Sequence, residues 1–388
     1  MKKFVKLLII SVMILASVLS FAACGGNSDK DSEAGIVCKK LTGDDFYTVI
    51  GYNAEENETS LNISVKAKAK YGDTVVIGRI RKGAFDGNTT LKEIVVTDET
   101  ENGTLTIDEG AFKNMRALEK ITLPFVGANR FSEVDQNVYG IDLNDLNEQE
   151  KQFYKENKAT DKERSFGYIF GEEENAASSK ITFTYGEADG QTADFYIPVG
   201  LTEITIKADK ATSIPMYAFC GLTRVEMVTL SDNINAIGRA AFKDMDKLSK
   251  VNIPSSVKVI YDSAFAGTAK LKVFGENGFK FDDGSLLTEI REEAFKDTRL
   301  QSFDISGTQV TKIGNYAFAG NSNLSSVKFG TSVTEIGAYL FADCDDLTEL
   351  TYTGTMAQCN EIVADVNWYA CSKLEKIVCS NGNINLGD

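Results

Sequence analysis

The chain has 388 residues, 41 Lys and Arg against 56 Asp and Glu, and no histidine, for a formal net charge of −15. That excess of carboxylate repels phosphate backbones and argues against nucleic acid as a partner. Without histidine the commonest general base, the usual nucleophile pairs and the commonest zinc ligand are missing, so no enzyme, cofactor or metal site is expected.

The first element in chain order is a targeting segment. Lys2, Lys3 and Lys6 precede an apolar run over residues 7–19, which closes on Phe21-Ala-Ala-Cys24. Residues 1–23 resemble a bacterial lipoprotein signal, and the resemblance implies a diacylglycerol on the Cys24 thiol. Residues 24–35, with Gly25-Gly-Asn-Ser, read as a polar, flexible tether. No later run approaches the roughly 18 apolar residues of a membrane helix, so contact with a membrane is expected only through the lipid.

Residues 36–76 alternate apolar and polar in short pieces, Phe46-Tyr-Thr-Val-Ile50 and Leu61-Asn-Ile-Ser-Val65. They predict an antiparallel β cap. From residue 77 onward an isoleucine is followed five residues later by a phenylalanine. The pairs are Ile80 and Phe85, Ile107 and Phe112, Ile214 and Phe219, Ile237 and Phe242, Ile260 and Phe265, Ile290 and Phe295, Ile313 and Phe318, and Ile336 and Phe341. The phenylalanine recurs at a step of 23 residues (219 to 242 to 265, then 295 to 318 to 341). A period in the low twenties predicts a leucine-rich solenoid, whose coils are covered only by their neighbours.

Each coil carries a Leu-x-x-Ile-x-Leu strand, as in Leu118-Glu-Lys-Ile-Thr-Leu123 and Leu248-Ser-Lys-Val-Asn-Ile253. Period-two alternation puts Val251 and Ile253 inside and Lys250 and Asn252 outside. Strand starts at Leu91, Leu118, Leu201, Val225, Leu248, Leu271, Leu300, Leu324, Leu347 and Leu374 predict ten coils. The expected fold is therefore a mainly β solenoid, poor in helix, with a parallel sheet on one face. The first coils occupy 77–124, the main array 201–352, and a closing coil and cap 353–388. Residues 125–200 interrupt the array. They predict a helix within 142–157 and strand-like pieces at Phe166-Gly-Tyr-Ile-Phe-Gly171, Ile181-Thr-Phe-Thr-Tyr185 and Phe195-Tyr-Ile-Pro198.

The consensus Leu-x-x-Ile-x-Leu-Pro followed by Val-x-x-Ile-Gly-x-x-Ala-Phe, as in Val333-Thr-Glu-Ile-Gly-Ala-Tyr-Leu-Phe341, resembles the BspA-like leucine-rich repeats of bacterial surface proteins. The resemblance runs from about Leu41 to the C-terminus. The closing segment around Trp368 shares it, although Cys359 stands where a tryptophan would be expected. The resemblance implies a lipid-anchored, extracytoplasmic, non-catalytic protein that binds protein ligands, host extracellular-matrix proteins among them. A cell-envelope scaffold or glycan-binding lipoprotein is the alternative, and a carboxylate-dependent glycosidase a distant third. The chain is expected to be monomeric.

The outward strand positions form the candidate binding face: Glu93, Lys120, Thr122, Met227, Thr229, Lys250, Asn252, Ser302, Asp304, Ser326, Lys328, Glu349 and Thr351. Hot spots favour Trp, Tyr and Arg, which this face lacks. The insertion therefore competes as the recognition element, with Phe125, Phe131, Tyr139, Phe153, Tyr154, Phe166, Tyr168 and Phe170. Cys344 and Cys371 each follow by three residues an inward aromatic, Phe341 or Trp368. Buried free thiols and a bridge both remain open there, since stacked coils bring Cα atoms within the roughly 4.4–6.8 Å a disulfide needs. Asp282-Asp-Gly and Asp343-Cys-Asp-Asp346 lack the spacing of a calcium loop and read as surface turns.

Overall fold

Eight isoleucines and eight phenylalanines at one spacing can all be buried only if each coil lays its pair on the next. The computed structural model shows that stacking. It describes residues 35–388 except 55–56, 69–73, 99–103, 131–133, 136–138, 141–147, 149–150, 152–161, 186–190, 272–278, 282–283, 371 and 387–388. Cys24, the targeting segment and most of the tether lie outside the described residues. None of the sixteen repeat side chains is more than 5 % exposed, and Trp368 is 9 % exposed.

The coils form a mainly β solenoid with two parallel ladders, where the sequence predicts a sheet on one face only. The long strands make two six-stranded sheets. One runs from Ser60–Ser64 through Glu93–Thr97, Lys120–Leu123, Glu203–Ile206 and Met227–Leu230 to Lys250–Val251. The other runs from Phe279–Lys280 through Ser302–Asp304, Ser326–Phe329 and Glu349–Tyr352 to Lys376–Cys379 and Gly382–Asn385. The short arms pair as well: Ile214, Ile237, Ile260, Ile290, Ile313 and Ile336 stand opposite one another in register. A ladder spacing of about 4.8 Å places successive phenylalanine rings at stacking distance. From Phe242 to Phe341 the ring centroids are 4.9, 5.2, 5.7 and 5.9 Å apart, and the planes tilt by at most 19°.

The phenylalanine arm is neither helix nor strand, yet its amides are satisfied. The residues two before and two after each phenylalanine have φ between 53° and 75° in every coil. This left-handed backbone turns alternate N–H groups along the solenoid axis. Glu293, Phe295 and Asp297 thus donate to Asn315, Ala317 and Ala319 of the following coil at 2.8–2.9 Å. Beyond the isoleucine, glycine permits close approach of neighbouring coils: a Cβ on Gly314 would sit 2.5 Å from the Glu292 nitrogen.

The insertion differs from expectation in two ways. Phe166–Phe170 is a 3-10 helix, not a strand, opened by Ser165, whose hydroxyl accepts from the Gly167 amide. In addition, the array does not break on the strand side, because Glu203–Ile206 pairs directly with Lys120–Leu123. The short helix stands in for one rung of the phenylalanine arm. Gly110 and Phe112 donate to the Tyr168 and Ile169 carbonyls, and Phe166 donates onward to Ala218. Its rings bridge the column, with Phe112 to Phe170 at 6.5 Å, Phe170 to Phe166 at 5.4 Å and Phe166 to Phe219 at 5.4 Å. Ser178–Tyr185 and Gln191–Pro198 form an antiparallel hairpin. The helix predicted within 142–157 falls largely outside the described residues.

At the N-terminus, Gly35–Lys40 and Tyr47–Asn53 pair antiparallel. Ser60–Ser64, expected in the cap, is instead the first strand of the parallel sheet, because Leu61 and Ile63 stack on Ile94 and Val96. Tyr52 lies over Phe85 at 5.7 Å and Trp368 packs edge-on against Phe341 at 6.4 Å, so one aromatic closes each end of the column. The antiparallel strand Gly382–Asn385 covers the last parallel edge.

Candidate interaction surface

The outward residues of the long strands fall into rows because the strands are in register. Glu93, Lys120, Glu203, Met227 and Lys250 form one row, and Val95, Thr122, Thr205 and Thr229 the next. In the second sheet Ser302 aligns with Ser326, Asp304 with Lys328, Lys328 with Thr351, and Glu349 with Lys376. Opposite charges pair along the rows, Lys120 with Glu203 at 2.8 Å and Lys376 with Glu349 at 3.0 Å. The hydrogen bond it donates to Glu203 raises the Lys120 ammonium above the usual lysine value.

Two of the candidates are engaged within the fold instead. The Asn252 side chain clamps the Leu230 backbone, accepting from its N–H and donating to its carbonyl, both at 2.6 Å. Asp304 accepts from the Ser306 amide and hydroxyl at 2.9 and 2.6 Å, closing its own turn. The remaining face is polar, largely self-paired and open.

A second surface, missed in the sequence, lies along the phenylalanine arm. Tyr217, Tyr316 and Tyr339 each occupy the left-handed position two residues before a phenylalanine and are half-buried. Arg239 lies over the Tyr217 ring at 5.1 Å, Arg291 over Tyr261 at 4.2 Å, and Lys296 over Tyr316 at 5.7 Å. Tyr316 and Tyr339 stack at 5.2 Å with an 11° tilt. Stacked coils turn a sequence step of 23 residues into adjacent rings. The legible signal is tyrosine at a fixed offset before the repeat phenylalanine. The insertion's Phe125, Phe166 and Phe170 are buried in the array and offer no recognition surface, whereas Tyr168 is half-buried. Phe131, Tyr139, Phe153 and Tyr154 lie among residues whose side chains are not described.

Cys344 is a free thiol in the inner column. It donates to the Phe318 carbonyl of the preceding coil at 3.2 Å, and burial pushes it up to about 12. It is therefore not half of a bridge in this structure, and Cys371 lies outside the described residues. At the C-terminal end a cavity of about 230 Å³ opens between the last coil and its cap, lined by Phe329, Tyr352, Cys359, Trp368, Ile377 and Ile384 among others.

The repeat geometry has a counterpart among known families. A family model described as the BspA type leucine-rich repeat region matches residues 73–155, 179–275 and 280–388, in 6 copies. The chain belongs to the BspA-type leucine-rich-repeat family. Among solved structures, this BspA-type chain is similar to a leucine-rich repeat protein from Bacteroides ovatus, at 19 % identity over 89 % of this chain and 76 % of that one, with a TM-score of 0.41. It is also similar to a leucine-rich cell surface protein from Faecalibacterium prausnitzii, at 18 % identity over 87 % and 99 % of the two chains, TM-score 0.32. A leucine-rich repeat protein of T. pallidum matches at 21 % identity over 50 % and 92 %, TM-score 0.35. No functionally curated protein matches. The family assignment rests on the repeat match. Among the described residues no helix is long and apolar enough to cross a membrane.

Proposed function

We propose that this BspA-type protein is exported, tethered by a lipid on Cys24, and binds macromolecular partners on the cell surface without catalysing a reaction. The observation that carries the reading is the pair of repeated outer surfaces, polar strand rows in two sheets and a tyrosine–cation edge carried by several of the coils. These multiply one weak contact along the array, and multivalent contact raises avidity without any single deep site. The sequence of residues 1–24 supports export and anchoring, and the solved F. prausnitzii relative is described as a cell surface protein.

Tyrosine and arginine are the residues that dominate protein hot spots, so a protein ligand is the first partner to try. The stacked Tyr316 and Tyr339 rings favour a glycan as the second, since sugar rings pack on aromatic faces. The test is titration of the protein against extracellular-matrix proteins and, separately, envelope polysaccharides, with the Tyr316→Ala/Tyr339→Ala pair alongside. Binding to one class that falls about tenfold in the variant supports the tyrosine edge. Binding lost instead in Lys120→Glu/Lys328→Glu moves the site to the strands, and hydrolysis of an added glycan overturns the non-catalytic reading. Cys24→Ala should release the protein from membranes; retention would refute the anchor.

A further inference from the structure

Cys359 ends the short helix Met356–Cys359, and Cys379 ends the strand Lys376–Cys379. Their backbones are docked independently of the sulfurs. The Met356 amide donates to the Asn381 side chain at 2.8 Å and the Ser380 amide to the Gly354 carbonyl at 2.9 Å. The helix start is fixed by Thr355 and Gln358, whose side chains and backbones cap one another. Between these two held segments both thiols are free: Cys359 stands on the wall of the end cavity, one helical turn after Met356, and Cys379 is the strand partner of Gly382, where an added Cβ would meet the Met356 sulfur at 2.7 Å. Cys344 is different, because its thiol is used on a neighbouring carbonyl.

We propose that Cys359 and Cys379 close into a disulfide that staples the C-terminal cap to the last parallel strand. A terminal coil has a neighbour on one side only and is the place where a solenoid frays. A cross-link here therefore protects the least supported winding. The oxidant is an external disulfide such as oxidised glutathione. One cysteine thiolate attacks it, forming a mixed disulfide and expelling one glutathione thiolate. The second cysteine thiolate then attacks the protein sulfur of that mixed disulfide and expels the other. Two protein thiols are oxidised, one external disulfide is reduced to two thiols, and the two protons pass to the leaving thiolates. Burial and the neighbouring Cys379 push the Cys359 thiol up to about 11, so exchange on the folded chain is slow near neutrality and quickens as pH rises.

The inference stands apart from the surface reading, since it needs an oxidant and no partner. The full chain is folded in a buffer of oxidised and reduced glutathione, its thiols are trapped with an alkylating agent in denaturant, and its peptides are mapped by tandem mass spectrometry. The expected result is Cys359 linked to Cys379 with Cys344 alkylated, and a higher urea midpoint for the oxidised than for the reduced protein. Cys359→Ser should free Cys379 for alkylation and abolish the midpoint difference, while Cys344→Ser keeps the link. Alkylated Cys379 in the oxidised wild-type chain, or Cys379 joined to a different cysteine, overturns the proposal whether or not the variants fold.

Discussion

The Asn321 amide donates to the Phe295 carbonyl of the preceding coil and to the Phe318 carbonyl of its own, both at 2.7 Å. Its oxygen accepts from the Thr298 hydroxyl at 2.7 Å and the Leu300 amide at 3.0 Å, so a fully buried side chain leaves no hydrogen-bonding group idle. Thr268 and Cys344 occupy the same position, three residues after a phenylalanine, and also donate to the previous coil's phenylalanine carbonyl. Replacing Asn321 with leucine strands the Leu300 amide and strips one donor from each of the Phe295 and Phe318 carbonyls, which keep the Thr298 hydroxyl and the Cys344 thiol. The expected loss is about 2 kcal/mol, since a buried group left unpaired costs roughly 1–3 kcal/mol. Asn321→Thr should recover part of it. Urea unfolding of the three proteins measures the order.

The bridging rings of the insertion give a prediction about cooperativity. Phe166 and Phe170 are the aromatic link between Phe112 and Phe219. Phe166→Ala/Phe170→Ala should cost at least the roughly 3–5 kcal/mol of one buried phenylalanine. It should also split unfolding, with the coils before residue 124 opening ahead of those after 201. Hydrogen exchange resolved by segment is the readout; a single unchanged transition would show that the strand pairing alone couples the two arrays.

Two glycines separate backbone strain from crowding. Gly83 has φ +71° and room for a methyl, with no atom nearer than 3.8 Å, so Gly83→Ala should cost about 1–2 kcal/mol from the left-handed backbone alone. Gly314 lacks a positive φ but would drive its Cβ into the Glu292 backbone. Gly314→Ala should therefore cost more, about 3 kcal/mol, at the upper end of overpacking. Thermal or urea midpoints that reverse this order would refute the account of the Ile-Gly step.

A pH-dependent contribution comes from Glu293, whose carboxyl is held below its ordinary value by the hydrogen bond from Lys296, with help from the Ser263 hydroxyl. A lowered carboxylate stabilises the folded chain above its unfolded value and stops doing so as pH falls through the folded one. Glu293→Gln should therefore lower stability by about 0.5 kcal/mol at pH 7–8, the size expected of a partly exposed pair, and the difference from the wild-type chain should vanish as pH falls below the ordinary glutamate range; urea unfolding across pH measures it.

The periodic part of the fold was open to reading because one spacing had to bury the same two side chains in every coil. Ile313 and Phe318 announce their roles by recurrence alone. Half of the left-handed backbone was equally visible, since the positions two after each phenylalanine hold only Gly, Asn or Asp, as at Gly320 and Asp297. The other half was hidden. Tyr217, Ala240, Ser263 and Glu293 adopt the same strained conformation with side chains that do not favour it. There the bonds to the next coil override local preference, and no propensity reports that. The tyrosine–cation edge is hidden for the same reason, since period-two alternation marks outward positions only on strands. Phe166-Gly-Tyr-Ile-Phe170 looked like a strand because a short apolar run carries no period of its own; its partners were the amides of Gly110 and Phe112, which local pattern does not reveal.

Because the short helix at Phe166–Phe170 replaces one rung while Glu203–Ile206 sits directly on Lys120–Leu123, the winding count does not depend on what the chain carries between Arg130 and Lys162. Sequence there can be exchanged, lengthened or trimmed while the register on either side is kept. A lineage could diversify its ligand at that point, and an engineer could graft a foreign epitope between those two residues, onto a frame that already accommodates a detour.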